Sequence, residues 1–367
     1  MELEGAVVER NNIHSNVIST RSPSFNFIWG NGHGLPRGYS ALIYGPPRGG
    51  KSVVLNEMIG WLHQSDPEAI AVKFNTEMRE SAQLDNSLLK MYGIDPNRLI
   101  SYEVNQPDQI FDRIEKDIFA ATQDGLNVGL VGLDSLNAIQ GRRAMNADSI
   151  MTQQIGDNAL TIQEGLKRIL PVQRKGQFGL VATAHIRAQM DTKTGGSSVV
   201  FKSNTMAIRP AVSYGTQHHC EYYIYVEPAG GEGSKESMDG ESFVNESVTD
   251  FKGKGEKTGH KISVKMVDSS LGPKGRSGTF TFDYHRGIIN THEEIFVLGC
   301  NRNIIDRPNN VMYRFGGKEW KGKDAMANAI KNDPEMAQAI LKELRRRDLA
   351  GELTGPEVHT IIEEQSP

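Results

Sequence analysis

The run Gly45-Pro46-Pro47-Arg48-Gly49-Gly50-Lys51-Ser52 is a complete G-x-x-x-x-G-K-[ST] motif. Residues 39–44 before it have the apolar character of a buried strand, and residues 53–63 after it have that of a helix. This strand–loop–helix setting is what makes the motif a phosphate-binding loop. Its glycines let successive N–H groups converge on phosphate oxygens, and the helix N-terminus adds a favourable dipole. A chance glycine turn would lack both flanks. The motif therefore commits this part of the chain to an α/β unit that binds a nucleoside triphosphate. Residues 45–50 would wrap the phosphates, Lys51 would reach the β- and γ-phosphates, and the Ser52 hydroxyl would ligate Mg²⁺.

The other parts of such a site stand at strand ends. Leu130-Val131-Gly132-Leu133-Asp134-Ser135 is an apolar strand closing on an acid, so Asp134 would hold Mg²⁺, usually through water. A turn Asp after a strand is common by itself, and the loop beside it gives this one its meaning. Glu77, in Phe74-Asn75-Thr76-Glu77-Met78, closes the strand after the loop's helix. A carboxylate there can orient and deprotonate the water that attacks the γ-phosphate. The competing role is a helix-capping acid, with Thr76 and Glu80 flanking a helix start. His185 ends the strand in Thr183-Ala184-His185, where a polar side chain could sense the γ-phosphate. A lone histidine equally suits a purely structural role.

The 367 residues suffice for one substantial core plus a smaller domain. Hydrophobic residues at 38% and charged residues at 23% exclude a disordered or fibrous class. No run approaches a membrane span and no apolar signal region opens the chain, so a cytoplasmic protein without membrane contact is expected. Cys220 and Cys300 are the only cysteines and lack metal spacing, so disulfides do not organise the fold. His218-His219-Cys220 has no second ligand cluster to make a metal site. The net charge of −4 confines any nucleic-acid contact to a local basic surface.

Residues 1–23 form an N-terminal arm or cap, 24–289 an ATPase core, and 290–367 a small C-terminal α/β or helical region. Within the core, strand-like runs at 41–44, 69–74, 99–103, 128–133, 179–184 and 222–226 alternate with helical stretches at 53–64, 80–92, 107–123 and 157–175. That alternation specifies a mostly parallel, twisted central sheet flanked by helices. Residues 229–261, rich in Gly, Ser, Glu and Lys, form an exposed, mobile insertion. Strands at 261–267 and 278–284 bracket the loop Leu271-Gly272-Pro273-Lys274-Gly275-Arg276, and a helix over 323–347 is interrupted by Pro334.

Two polar segments leave the same sheet edge. Residues 140–156 carry Arg142 and Arg143, and residues 186–219 carry Arg187, Lys193, Lys202 and Arg209 against Asp191 alone. Phe201 and Tyr214 add stackable surface, and charge neutralisation with aromatic wedging is how single strands are gripped without sequence preference. By composition alone a solvated loop fits slightly better, although a long structureless stretch inside a compact domain is unusual unless functional.

Taken together, residues 24–38, the phosphate loop, Glu77, Asp134-Ser135, Gln154-Ile155-Gly156-Asp157 and His185 resemble the core of the RecA-family recombinases. Tyr92-Gly93-Ile94-Asp95-Pro96-Asn97-Arg98 and residues 313–324 are most similar to the UvsX branch of that family, from T4-like bacteriophages, in which a histidine takes the γ-phosphate sensor position. The resemblance covers roughly residues 24–345. It implies a RecA-like P-loop core, hydrolysing ATP with Mg²⁺, that forms a helical homo-oligomer on single-stranded DNA with ATP at subunit interfaces. It also implies pairing with homologous duplex DNA, contact with single-strand-binding and mediator proteins, and, for a viral protein, the host cytoplasm. DNA binding would fall to Arg142, Arg143 and Arg187, with Lys193, Lys202 and Arg209 behind them.

One departure stands out. The family places basic residues just before the Leu271 loop, reaching the neighbouring subunit's phosphates, whereas this chain has Asp268-Ser269-Ser270. Lys274 or Arg276 would replace them, or a residue of the basic 252–261 stretch, or hydrolysis is weakly coupled to assembly. Two other functions stay open from sequence: a hexameric helicase core of the DnaB class, whose strand-end acid sits in a similar setting, and a mediator that binds ATP without processive hydrolysis.

Overall fold

The computed structural model describes residues 16–30, 33–78, 86–141, 157–187, 209–229, 244–249 and 255–353. Among the described residues nine strands form the continuous path of the central sheet: β1 (Ser40–Gly45), β2 (Ile70–Asn75), β3 (Leu99–Tyr102), β4 (Val128–Asp134), β5 (Gly179–Arg187), β6 (Tyr222–Pro228), β7 (Gly259–Ser269), β8 (Ser277–Asp283) and β9 (Gly287–Ile289), and a tenth, the two-residue strand Arg209–Pro210, pairs with β5 off that path. Their spatial order is β9-β8-β7-β6-β1-β5-β4-β2-β3. The six strands from β6 to β3 run parallel, and β7, β8 and β9 extend the sheet antiparallel.

Side chains alternate across a strand, and here both faces are covered. On β1, Ala41 and Ile43 pack with Val54, Leu55 and Met58 of α1 (Lys51–Ser65). Leu42 and Tyr44 point the other way, onto Ile110, Phe111 and Ile114 of α3 (residues 107–123) and Ile162, Leu166 and Ile169 of α4 (Asp157–Gly176). Each such fully buried aliphatic side chain contributes about 1.5–3 kcal/mol of transfer free energy. The carboxyl ends of the parallel strands lie together at one edge of these layers of helix, sheet and helix. Ligands bind at that edge in folds of this kind.

Several boundaries differ from the sequence expectation. The helix expected over 80–92 is described as α2 (Asn86–Tyr92), and residues 80–85 lie outside the described residues. Within α3, Arg113–Ile118 has π-helical spacing, which periodicity does not distinguish from an α-helix. The stretch expected as an exposed insertion contains strand structure. Val244–Thr249 pairs antiparallel with Gly255–Lys257, and β7 already begins at Gly259. Packing rather than composition decides the latter, because His260 meets the rings of Phe282 and Tyr284, and Ile262 is fully buried.

Residues Ser22–Ser24 and those from Asn290 onward form a second compact unit. It contains α5 (Thr291–Asn301), a hairpin of Met312–Phe315 with Lys318–Lys321, α6 (Lys323–Asn332) and α7 (Pro334–Leu349). The single helix expected over 323–347 is thus two. Pro334 takes the first turn of α7, where its missing N–H costs nothing, and the Asp333 side chain accepts from Met336 N. Among the described residues no helix is long and apolar enough to cross a membrane.

Candidate functional site

The phosphate loop joins the end of β1 to the start of α1, and its glycines are required by space as well as by conformation. A Cβ on Gly45 would lie 1.9 Å from the Val226 carbonyl oxygen of β6, and one on Gly49 would lie 2.9 Å from the Pro46 carbonyl oxygen. Gly50, at φ +100°, caps α1 in a region that L side chains rarely adopt. Pro47 and Arg48 are exposed at the crest, and Pro46 is half-buried. Lys51 is almost fully buried, and its Nζ donates to the carbonyl oxygens of Gly45 (3.1 Å) and Pro46 (2.8 Å). The ammonium is therefore held over the cradle that the loop forms at the helix N-terminus. Ser52 follows in the first turn of α1.

Sheet register brings the acids to the same edge. Asn75 is level with Asp134, Ile43 with Thr183, and Gly45 with His185. Asp134 is largely buried and its Oδ1 accepts from the Thr183 hydroxyl. The Asp134–Ser135 peptide is cis. Thr76 N donates to Asp134 O (2.9 Å), and its hydroxyl donates to Ser135 O (2.5 Å), stitching the ends of β2 and β4 together.

Glu77 lies just past β2, where its Oε1 accepts from the Ser135 hydroxyl at 2.7 Å and lies 3.1 Å from His185 Nε2. With Glu77 ionised, Nε2 is the protonated ring nitrogen. Two residues distant in sequence thus converge on one Glu77 oxygen. The helix start that a capping Glu77 would serve, around Glu80, lies outside the described residues.

The residues present fit Mg²⁺ and a triphosphate. Ser52 and Asp134 supply hydroxyl and carboxylate oxygens, which suit a hard cation. A further sign is Asn75, 3% exposed, whose Nδ2 is buried with no hydrogen-bond partner among the described residues. Two residues earlier on the same face of β2, Lys73 Nζ donates to Asn56 Oδ1 of α1 at 3.0 Å. Two strand residues span about 6.6 Å and one helical turn about 5.4 Å, so the same alignment brings Asn75 level with Ser52. A buried amide donor without a partner costs about 1–3 kcal/mol unless a ligand satisfies it.

The other expected site residues fall elsewhere. Lys274 Nζ forms an ion pair with Asp268 at 2.5 Å, which holds that carboxyl below its ordinary range, so the chain's own lysine occupies the departure from the family pattern. Arg276 lies 4.4 Å above the Phe27 ring and donates to its carbonyl oxygen at 3.1 Å. The backbones of Arg187 and Arg209 are paired across a short antiparallel ladder. Arg142, Arg143, Lys193 and Lys202 lie outside the described residues. Sequence reasoning missed roles for Asn75, Thr76, Ser135 and Thr183. Each is a small polar residue at a strand end beside a residue already singled out, and that was the available signal.

A mostly parallel sheet with a phosphate loop at its centre and acids at the flanking strand ends defines a P-loop α/β core of the RecA-like class. No family model matches the chain. It is similar along most of its length to "Protein RecA" of Methylococcus capsulatus, 25% identical over 351 residues, covering 95% of this chain and 88% of that protein. "Protein RecA" of Wigglesworthia glossinidia brevipalpis is 23% identical over 341 residues, covering 93% and 90% respectively. The "DNA repair protein recA homolog 3, mitochondrial" of Arabidopsis thaliana is 23% identical over 344 residues, covering 93% and 70%.

Proposed function

We propose that this protein is an ATP-dependent recombinase that coats single-stranded DNA as a helical filament and pairs it with homologous duplex. The observation that carries this reading is the contact of Glu77 with both Ser135 and His185. It joins the carboxylate proposed to act in hydrolysis to the end of the strand that leads into the 186–219 segment, which carries Arg187, Lys193, Lys202 and Arg209 in sequence. The similarity to RecA proteins, one of them named for DNA repair, supports the same reading. His185 and residues 92–98 support a narrower assignment to the UvsX type, and with it a host-cell cytoplasmic setting.

Bound Mg²⁺ would neutralise charge on the β- and γ-phosphates. The N–H groups of the phosphate loop and the Lys51 ammonium would hold those phosphates, while Ser52 and Asp134 would hold the metal. Glu77 orients a water in line with the γ-phosphorus and takes its proton as the bond to the β–γ bridging oxygen breaks. Hydrogen bonds from Ser135 and His185 to Oε1 fix the rotation of the carboxylate, so catalysis is chiefly positioning. The basic group reaching a neighbour's phosphates would be Lys274 released from Asp268, Arg276 released from Phe27, or a residue of the 252–261 stretch; failing these, hydrolysis would be weakly coupled to assembly.

Electron microscopy of the protein with single-stranded DNA and a slowly hydrolysed ATP analogue, beside a DNA-free control, tests the proposal. Helical filaments on the DNA are expected. Closed rings would replace the recombinase with a helicase of the DnaB class, since head-to-tail contacts can close or propagate. Neither form, with ATP still bound, would indicate a mediator.

A further inference from the structure

The proposed hydrolysis leaves one buried charge unused. Lys73 stands inside the central strand β2 and is 1% exposed. Lysine is almost never so deeply buried, because an ammonium taken from water is costly unless polar groups receive its protons. Val72 and Phe74 belong to the core under α3 and α4, so alternation puts Lys73, with Ala71 and Asn75, on the face that α1 covers. There its Nζ donates to Asn56 Oδ1 of α1 at 3.0 Å.

That contact fixes where the charge lies. Asn56 is four residues after Ser52 on α1, so the two side chains share one stripe of the helix, about 5.4 Å apart along its axis. The sheet shows the same layering. Asn75 is level with Asp134, and Leu133 with Ala182, which sets Thr183 beside Asp134. These three polar side chains, all buried, make a row across the strand ends. Lys73 stands in the next row on the same face, with Ser101, Gly132, Val181 and Ala41, none of them charged. Gly132 leaves room there for Leu55, which a Cβ would meet at 3.0 Å. The ammonium is thus one layer beneath Ser52 and Asp134, with apolar packing at its side.

A fixed positive charge at that depth acts with opposite sign on the two ligands expected above it. It repels a divalent cation and attracts the phosphates, and the scarcity of water strengthens both effects. A cation arriving with the triphosphate meets a site whose charge the phosphates have already offset.

We propose that Lys73 is a resident cation beneath the metal position, which keeps divalent cations out of the nucleotide-free site and makes their entry depend on the triphosphate. The proposal rests on the reading of Ser52 and Asp134 as metal ligands. A merely structural lysine, tying β2 to α1 through Asn56, would change stability and leave metal affinity alone.

The test uses the full chain and Mn²⁺ as the probe, with bound and free ion separated by electron paramagnetic resonance in the absence of nucleotide. Wild type, Lys73→Met and Lys73→Gln are compared, each also combined with Asp134→Asn. Both Lys73 variants should bind Mn²⁺ at least about tenfold more tightly than wild type, the scale of a charge removed a few ångströms away. Asp134→Asn should abolish that gain. In chelator, without metal, their affinity for a fluorescent ATP analogue should fall instead, and this reversal of sign is what a structural role would not produce. Equal Mn²⁺ affinity in wild type and variants, or a gain that survives Asp134→Asn, overturns the proposal and leaves the nucleotide site standing. Failure of wild type to bind the ATP analogue with or without metal overturns both. Should neither variant fold, wild type decides. Micromolar Mn²⁺ binding without nucleotide that Asp134→Asn removes overturns the proposal, and millimolar or weaker binding supports it.

Discussion

Glu294 offers a sharp test of the physical reasoning in the second unit. It lies in the first turn of α5 and is 6% exposed. Its Oε2 accepts from the Ser22 hydroxyl at 2.6 Å and from Ser24 N at 2.9 Å, while Oε1 is buried with no hydrogen-bond partner among the described residues. Burial raises its pKa from 4.5 to about 8, outweighing the lowering by the two serines, and neighbouring Glu293 adds to the rise. The sign follows from proton linkage. Below about pH 4.5 the acid is protonated in both folded and unfolded chains, and its stabilisation is complete. Between there and about pH 8 only the folded chain keeps the proton, so stability falls as pH rises. At about 1.4 kcal/mol per pH unit the loss is bounded at about 5 kcal/mol. Hydrogen exchange of the 291–301 amides, corrected for intrinsic rates, should show an opening free energy that drops by several kcal/mol from pH 5 to pH 9. The drop should vanish in Glu294→Gln, a neutral near-isostere. Parallel pH profiles for wild type and variant would refute the assignment of a proton to this carboxyl.

Three perturbations address the nucleotide and DNA sites. Glu77→Gln should keep ATP affinity and lower turnover at least about 100-fold, the lower end for a lost general base; near-normal steady-state hydrolysis would exclude Glu77 from that role. Ser135→Ala removes one donor to Oε1 and should reduce kcat about tenfold with nucleotide affinity unchanged, which single-turnover hydrolysis beside equilibrium binding would reveal. Arg142→Glu with Arg143→Glu should weaken single-strand binding and flatten its dependence on salt. An unaltered slope in a titration from low to high ionic strength would remove those arginines from the interface.

The phosphate loop was legible because its chemistry is contiguous. Residues 45–52 need only their own flanking strand and helix to become an anion cradle. The acids Asp134 and Glu77 were legible for a related reason, since an apolar run that stops at a carboxylate marks the open edge of a parallel sheet. Strand positions transferred well where both faces are buried. They transferred poorly near Gly259 and His260, where polar composition suggested exposure and the aromatic rings of β8 and the following turn gave His260 a packed environment.

Sequence alone therefore determined the phosphate-loop motif and the strand-end positions of Asp134 and Glu77, because those follow from bonding between near neighbours in the chain. Tertiary structure decided which distant groups meet. Ser135 and His185 share an oxygen of Glu77 because β4 and β5 lie side by side and β2 adjoins β4. Asn137 reaches Ala211 only once β5 has brought the Arg209–Pro210 strand beside it. Glu294 keeps its proton because packing removes it from water. Strand order and burial are set by the summed packing of the whole sheet, and no single stretch of residues carries that sum.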